Sequence, residues 1–128
     1  MLDFHLERSG VPIYLQIRDQ LRHAIGNGTL RPGEQLPTMR ELAVQLKVDL
    51  NTVRHAYDEL ERSGVIVILR ARGTFVAETP PPVDVARQAS KVRSLAHQVM
   101  ALAASSGIDP AEVANELLKV AKQRGSKR

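Results

Sequence analysis

Cysteine and tryptophan are both absent from this chain of 128 residues. Without cysteine, the chain forms no disulfide, offers no thiolate nucleophile and cannot build a cysteine-ligated zinc site. Aromatic residues make up only 3% of the sequence, so a hydrophobic core has to be largely aliphatic. The four histidines are His5, His23, His55 and His97. They share no ligand spacing with one another or with acidic residues, and we expect neither a bound metal nor a cofactor.

Long apolar runs and enzyme motifs are missing as well. A membrane-spanning helix needs about 18 or more consecutive apolar residues, and the sequence contains no such run and no signal-peptide pattern. We therefore expect a cytoplasmic protein without a membrane partner. A Gly-rich phosphate loop, a nucleophile motif and a catalytic pair of carboxylates are also absent, so the sequence predicts a protein that is not an enzyme.

The formal net charge of +4 comes entirely from the second part of the chain. Residues 1–78 contain ten basic and ten acidic side chains, whereas residues 79–128 contain eight basic and four acidic ones. Net charge therefore gives no evidence that the first part binds nucleic acid. Such evidence has to come from the places where individual arginines stand.

Two short helical patterns follow each other between Leu36 and Gly64. In the first, Thr38 and Glu41 form a capping-box sequence ahead of apolar residues at helical spacing. In the second, four apolar residues recur at i, i+3, i+4 and i+7, which places them on one face of a helix: Val53, Ala56, Tyr57 and Leu60. A short turn around Lys47–Val48 joins the two patterns, and together they predict a helix-turn-helix.

The opposite face of the second helix is polar near its start. Removing the core positions leaves Leu50, Asn51, Thr52, Arg54, His55 and Asp58. Hydrogen-bonding side chains at the N-terminal end of a helix reach base edges when that end enters the major groove of DNA. The alternative is an ordinary solvated helix face, since many helical hairpins carry similar residues.

A β-hairpin is predicted directly after the second helix. Residues 65–69 are rich in β-branched side chains, residues 70–73 form a turn, and residues 74–76 are typical of a returning strand. The turn carries Arg70 and Arg72. A hairpin in this position is a wing, and its two arginines favour DNA binding over a plain solvated face.

Four segments occur in order between Pro12 and Ala77: PIYLQI, GTLRPGEQLPTMRELA, VDLNTVRHAYDELERSG and RARGTFVA. In this order they resemble the GntR family of bacterial winged helix-turn-helix regulators. The resemblance implies a sequence-specific DNA-binding transcriptional regulator, more often a repressor, that binds double-stranded DNA at a pseudo-palindromic operator. Most members carry a large effector-binding domain. This chain is similar to the YtrA-like branch, whose short helical tail serves dimerisation and whose members often control transporter genes.

The resemblance also implies which residues touch DNA. The candidate DNA-binding residues are Thr38, Arg40, Leu50, Asn51, Thr52, Arg54, His55, Arg70, Arg72 and Gly73. Arg54 suits a bidentate contact to guanine, and the wing arginines suit a minor groove or its flanking phosphates. The sequence departs from the family pattern at Ala71, where the wing often has glycine, and at Leu50, where many relatives have proline or a polar residue.

A Pro-rich stretch at residues 79–83 predicts a linker between a DNA-binding domain at 1–78 and a two-helix tail at 84–128. The candidate dimerisation residues are Val85, Ala89, Val92, Leu95, Ala96, Val99, Leu102, Ala103, Val113, Leu117 and Val120. Two helices of this length cannot bury both apolar faces against each other, so we expect a homodimer in which two tails form a small helical bundle. Packing of the tail onto the first domain is the alternative.

The sequence thus predicts a mainly α (α+β) fold, in which three helices and a hairpin wing precede a two-helix tail. Alternation at Leu2, Phe4 and Leu6 predicts either a short strand or an extended arm at the N-terminus. The main rival function is a winged-helix module for protein assembly, which a large apolar patch at the wing tip would favour. The sequence leaves a small-molecule effector open, and the dimer interface is where we expect one to bind.

Overall fold

The computed structural model describes residues 3–8, 10–82 and 84–125. The chain divides into two compact units, Met1–Pro82 and Val83–Arg128. In chain order the elements are α1 (Ile13–Gly26), β1 (Gln35–Leu36), α2 (Met39–Leu46), α3 (Leu50–Arg62), β2 (Ile66–Leu69), β3 (Gly73–Val76), α4 (Val85–Ser106) and α5 (Pro110–Gly125). The predicted fold class, mainly α with a winged helix-turn-helix and two further helices, is confirmed.

The core of the first unit forms around α3. The four apolar residues predicted to share one face of this helix, Val53, Ala56, Tyr57 and Leu60, are all 0% exposed. They pack with Ile17 and Leu21 of α1 and with Leu42 of α2 in a single hydrophobic cluster. The buried Tyr57 hydroxyl donates a hydrogen bond of 2.7 Å to the carbonyl of Pro37, which ties α3 to the chain just before α2.

Short-range signals set the ends of α2 and α3. Thr38 Oγ1 accepts the Glu41 N–H at 3.0 Å and Glu41 Oε1 accepts the Thr38 N–H at 2.9 Å, so the predicted capping box is present. Lys47 ends α2 in the left-handed region, with φ 57°. Gly64, which has φ 79°, provides the left-handed residue after α3.

The sheet of the first unit has three antiparallel strands in the order β1-β3-β2. The predicted hairpin is present, with Val67 opposite Phe75. The two-residue strand β1 on the other side of β3 is an addition that we did not predict, and it places Leu36 opposite Thr74. This pairing connects the wing to the segment that leads into α2.

The N-terminal residues 3–8 form an extended arm and not a strand. Two glutamines of α1 hold it through their side-chain amides. Gln20 accepts the His5 N–H at 2.9 Å and donates to the His5 carbonyl at 2.8 Å, and Gln16 makes the same pair of bonds with Glu7 at 2.8 and 2.7 Å. Phe4 and Leu6 pack against the core cluster. Leu2 lies outside the described residues.

The second unit is a pair of helices with little buried surface. Asp84 caps α4 by accepting the Arg87 N–H at 3.0 Å, and Gly107, with φ 70°, ends it. Ala103 is 4% exposed, whereas Leu95 and Leu102 are 60% and 69% exposed. None of the helices in the described part of the chain has the length and apolarity that crossing a bilayer requires.

The Tyr57 hydrogen bond gives a test of how α3 is anchored. Tyr57→Phe is expected to lower the free energy of unfolding by about 1–2 kcal/mol, because it leaves the Pro37 carbonyl without its donor. Urea denaturation followed by circular dichroism at fixed protein concentration measures the change. Tyr14→Phe is the matched control, since the Tyr14 hydroxyl makes no hydrogen bond within the described residues, and equal losses in the two variants would contradict the assignment.

Candidate nucleic-acid interface

Asn51 and Arg54 form the exposed polar surface at the start of α3. Both side chains are exposed, and one turn of helix separates them. The Arg54 guanidinium donates through Nη1 to the Asn51 side-chain oxygen. Only one of the five guanidinium N–H groups donates to Asn51, so the other four remain available to another acceptor. This part of α3 therefore presents an arginine that is held in place and still able to bind.

Leu50, Thr52 and Asp58 depart from the expected exposed face, because all three are half-buried. Leu50, the first residue of α3, packs against the core cluster, which accounts for its apolar side chain. Thr52 lines a shallow open cleft of about 420 Å³. Of these two candidate residues, only Thr52 keeps a polar group at the surface near Asn51.

His55 faces α1. Its ring stacks on Tyr14, with ring centroids 3.7 Å apart and planes 10° from parallel. His55 Nε2 lies 3.0 Å from Glu59 Oε2, and the other carboxylate oxygen of Glu59 accepts a hydrogen bond of 2.6 Å from Arg18. His55 is thus part of a contact between α3 and α1, although about half of its side chain is exposed.

Neighbouring charges shift the pKa of Glu59, the acidic residue in this group of contacts. The Arg18 guanidinium, hydrogen-bonded to Glu59, holds the pKa of that carboxyl below its ordinary value. The charges of Arg18, His55 and Arg62 add to the effect, and partial burial opposes it. Glu59 is therefore held in its ionised form beside Arg18, whose guanidinium also binds Asp19 at 2.9 Å.

The start of α2 contributes Thr38 and Arg40, both exposed. The Thr38 oxygen accepts the helix N–H of Glu41, but its hydroxyl hydrogen remains available to an acceptor such as a phosphate oxygen. Arg40 lies in the first turn of α2. Both residues stand at the end of α2 that begins the helix-turn-helix.

The wing tip presents Arg70, Ala71 and Arg72, all exposed. Ala71 adopts φ 65°, which explains why glycine is common at this place in the resembled family. Gly73 has φ 121°, and a Cβ there would lie 2.8 Å from the side-chain nitrogen of Gln35. Glycine at 73 is therefore favoured by the positive φ of the turn, whereas the flexible Gln35 side chain could move away from a Cβ.

Metal-ligating side chains do not cluster within the described ranges 3–8, 10–82 and 84–125. The site is instead a set of hydrogen-bond donors on three elements, α2, α3 and the β2–β3 turn. Arginine, asparagine and threonine side chains of this kind donate to phosphate oxygens and to base edges.

A family model described as "Bacterial regulatory proteins, gntR family" matches residues 13–76. The chain belongs to the GntR family. The match runs from the start of α1 to the end of β3, so it includes all three helices of the first unit and the wing. It confirms the resemblance, and with it the prediction of a regulatory protein and not an enzyme.

Two curated relatives come from Bacillus subtilis strain 168. The chain is 46% identical to the HTH-type transcriptional regulator YhcF over 77 residues, which are 60% of this chain and 64% of YhcF. It is 37% identical to the HTH-type transcriptional repressor YtrA over 102 residues, 80% of this chain and 78% of YtrA. The alignment thus spans less than two thirds of YhcF but extends into the tail for YtrA.

Solved structures of transcriptional regulators have a similar fold. A transcriptional regulator from Oenococcus oeni is similar over 91% of this chain and 96% of its own, with TM-score 0.59 and 30% identity. AraR(DBD) in complex with operator ORX1 is similar over 60% of this chain and 93% of its own, with TM-score 0.51 and 30% identity. The first unit therefore has the fold of a domain that has been solved on operator DNA.

Arg8 and Lys47 are two basic residues near α3 that the sequence did not single out. Both line the cleft that Thr52 borders. Lys47 occupies the turn between α2 and α3, and Arg8 ends the described part of the arm. The one feature of the sequence that could have predicted the position of the arm is the i, i+4 spacing of Gln16 and Gln20 on α1, since both side chains bind the arm's backbone.

The Arg18–Glu59 pair gives a prediction on acid stability. Because the pKa of Glu59 is lowered in the folded state, its contribution is present above the unfolded pKa and is lost as the pH falls through the folded pKa. Glu59→Gln is therefore expected to be less stable than the parent at pH 7, with a difference that shrinks towards pH 3. Urea denaturation at a series of pH values measures this.

Glu78→Gln is the matched control, because Glu78 is exposed and makes no ion pair in the part of the chain that the structure describes. It is expected to follow the parent across the series. A deficit of Glu59→Gln that stays constant down to pH 3 would contradict the assigned role of the ion pair.

Proposed function

We propose that the protein is a sequence-specific transcriptional regulator that acts as a repressor. It binds a two-fold symmetric operator as a homodimer in the cytoplasm. The observation that carries the proposal is the exposed Arg54–Asn51 pair on α3, a helix whose opposite face is fully buried. A helix fixed on one side and polar on the other suits insertion into a major groove.

Arg54 is the residue that we propose reads a base. Arginine forms bidentate hydrogen bonds with O6 and N7 of guanine, and Asn51 suits the corresponding edge of adenine. Their mutual hydrogen bond restricts the arginine before DNA arrives, which lowers the entropy lost on binding. Thr52 lies between them in sequence and suits a phosphate contact.

Arg40, Thr38, Arg70 and Arg72 are proposed to fix the position of α3 on the duplex. They stand on two separate elements, the start of α2 and the wing tip, and all four are exposed. Contacts from separate elements to the sugar–phosphate backbone set the register of a recognition helix without reading sequence. His55 is a weaker candidate, because its ring already stacks on Tyr14.

The relatives support the regulatory role. YtrA of Bacillus subtilis is named a transcriptional repressor, and AraR(DBD) has been solved with operator ORX1. The rival interpretation, an assembly module, called for an apolar wing tip. The tip consists instead of Arg70, Ala71 and Arg72, which favours DNA.

The tail is proposed to form the dimer through an apolar stripe on α4. Val85, Val92, Leu95 and Leu102 are between 60% and 75% exposed. Their spacing of seven, three and seven places them in the a and d positions of a heptad, the pattern of helices that pair with other helices. Ala103 is buried within its own chain, so it is a poorer candidate for contact with a partner.

Arg54 and Arg72 provide a test of base reading against charge. An operator is first obtained by selecting bound duplexes from a random library. Arg54→Ala is expected to weaken operator binding by about 1–3 kcal/mol and to relax the preference at one position per half-site, with a much smaller loss on random DNA. Fluorescence anisotropy on both duplexes measures the two affinities.

Arg72→Ala is the matched comparison, since it removes the same side chain from the wing. It is expected to weaken operator and random DNA alike and to reduce the log–log salt slope by about one unit per lost phosphate contact. Equal losses of Arg54→Ala on both duplexes would show that α3 does not read sequence through this residue.

The stripe on α4 gives a second test. The double variant Leu95→Glu/Leu102→Glu is expected to be monomeric in sedimentation equilibrium, because four carboxylates would meet in the proposed interface. Each monomer would then bind one half-site independently, and the affinity for the symmetric operator would fall by roughly 10² to 10⁴.

Ser94→Glu/Ala101→Glu is the control for charge. It adds the same two carboxylates to α4 at the same spacing of seven, at exposed positions away from the stripe. This variant is expected to remain dimeric. A dimer in the Leu95→Glu/Leu102→Glu variant would place the interface elsewhere.

A further inference from the structure

The cleft beside α3 brings together three parts of the chain that are separate in sequence. It is lined by Arg8 of the arm, Ile13 of α1, Lys47 and Val48 of the α2–α3 turn, Asp49, and Thr52 of α3. It is shallow and open, with a volume of about 420 Å³. Such a shape suits a group that projects from a larger surface and not an enclosed small molecule.

Arg8 is held near this cleft by a defined set of hydrogen bonds. The amides of Gln16 and Gln20 each bond both to an N–H and to a carbonyl of the arm, at Glu7 and at His5, with distances from 2.7 to 2.9 Å. Gln16 also donates to the Val11 carbonyl at 2.8 Å, which fixes the chain on the other side of Arg8. The arm is thus a positioned segment, although it precedes residues 13–76 that the family model matches.

Lys47 is positioned by backbone geometry. It takes the left-handed conformation, with φ 57° and ψ 47°, and its N–H bonds to the Val44 carbonyl at 3.3 Å. The next N–H, that of Val48, bonds to the Ala43 carbonyl at 3.1 Å. The turn is therefore tightly defined, and it carries an exposed cation.

Neither Arg8 nor Lys47 forms an ion pair within the residues that the structure describes. Both are exposed. Asp49 adds one carboxylate to the cleft, so two cations face one anion. Two exposed cations beside a threonine hydroxyl match the donors that hold a backbone phosphate of DNA.

We propose that Arg8 and Lys47 together bind a phosphate of the DNA backbone beside α3, and that Gln16 and Gln20 are positioning residues that hold Arg8 there. This inference rests on the proposed DNA-binding function and extends the interface to the N-terminal arm. The contact is to the sugar–phosphate backbone and adds affinity without sequence preference.

Single substitutions of the two cations test the contact. Arg8→Ala and Lys47→Ala are each expected to weaken binding to operator and random duplexes by the same factor, up to about eightfold at 0.1 M monovalent salt, which is the effect of losing one phosphate contact and its release of about 0.9 counterion. Because the two cations share one phosphate, each substitution is expected to reduce the salt slope by at most about one unit, and the two substitutions together by no more than that. Asp49→Asn, which removes the opposing carboxylate, is expected to tighten binding to both duplexes. Arg22→Ala, an exposed arginine of α1 that bonds to Ser63, is the control and is expected to change neither affinity nor slope.

The positioning role is tested by a thermodynamic cycle. Gln16→Ala/Gln20→Ala is expected to lose most of the affinity that Arg8→Ala loses, and adding Arg8→Ala to that background is expected to cause little further loss. Lys47→Ala is expected to weaken binding less in this background than in the parent protein, because the two cations hold the same phosphate. Circular dichroism melting checks that each variant is folded, and additive losses of the Gln and Arg8 changes would refute the positioning role.

The outcomes separate the inference from the proposed function. Unchanged affinity and salt slope in Arg8→Ala and Lys47→Ala, alongside a loss of operator binding in Arg54→Ala, would overturn the phosphate contact and leave the regulator intact. A loss confined to one cation would overturn the pairing. Failure of the parent protein to select any duplex would instead count against the proposed function itself.

Discussion

Burial of one face of α3 is the constraint on which the first unit depends. Val53, Ala56, Tyr57 and Leu60 exclude water completely, and α1, α2 and β2 each pack against this helix. The same burial decides which α3 side chains remain outside, because rotation of the helix would expose the core face. The stability of the first unit and the orientation of the exposed α3 side chains are therefore set by the same helical period, in which the buried residues orient the exposed ones.

Local signals explain why the sequence predicts so much of this unit. Helical spacing locates α3, the Thr38–Glu41 pair marks the start of α2, and Gly64 marks the end of α3, all from residues within a few positions of one another. Strand β1 carries no such signal, since two residues have no periodicity and the strand exists only through β3. The stacking of His55 on Tyr14 is equally invisible in sequence, because 41 positions separate the two rings.

The exposed surface of α3 is already partly engaged before any partner arrives. Arg54 bonds to Asn51, and His55 and Glu59 form contacts with α1. These contacts reduce the number of side-chain conformations, which lowers the entropic cost of a later interaction. The exposed residues of α3 therefore fall into two groups. Those at the start of the helix present hydrogen-bond donors to the outside, whereas His55 and Glu59 contact α1.

Burial of apolar side chains contributes little to the second unit on its own. Within α4, which is described over its whole length, Ala103 is the one buried side chain. Capping by Asp84 and the left-handed Gly107 define the ends of the helix, but caps contribute only about 1 kcal/mol each. Most helical stability in proteins comes from burying an apolar face, which this helix lacks as a single chain. In the proposed dimer, that burial would be supplied by a second copy, so the order of α4 and the association of two chains would be one equilibrium, dependent on protein concentration.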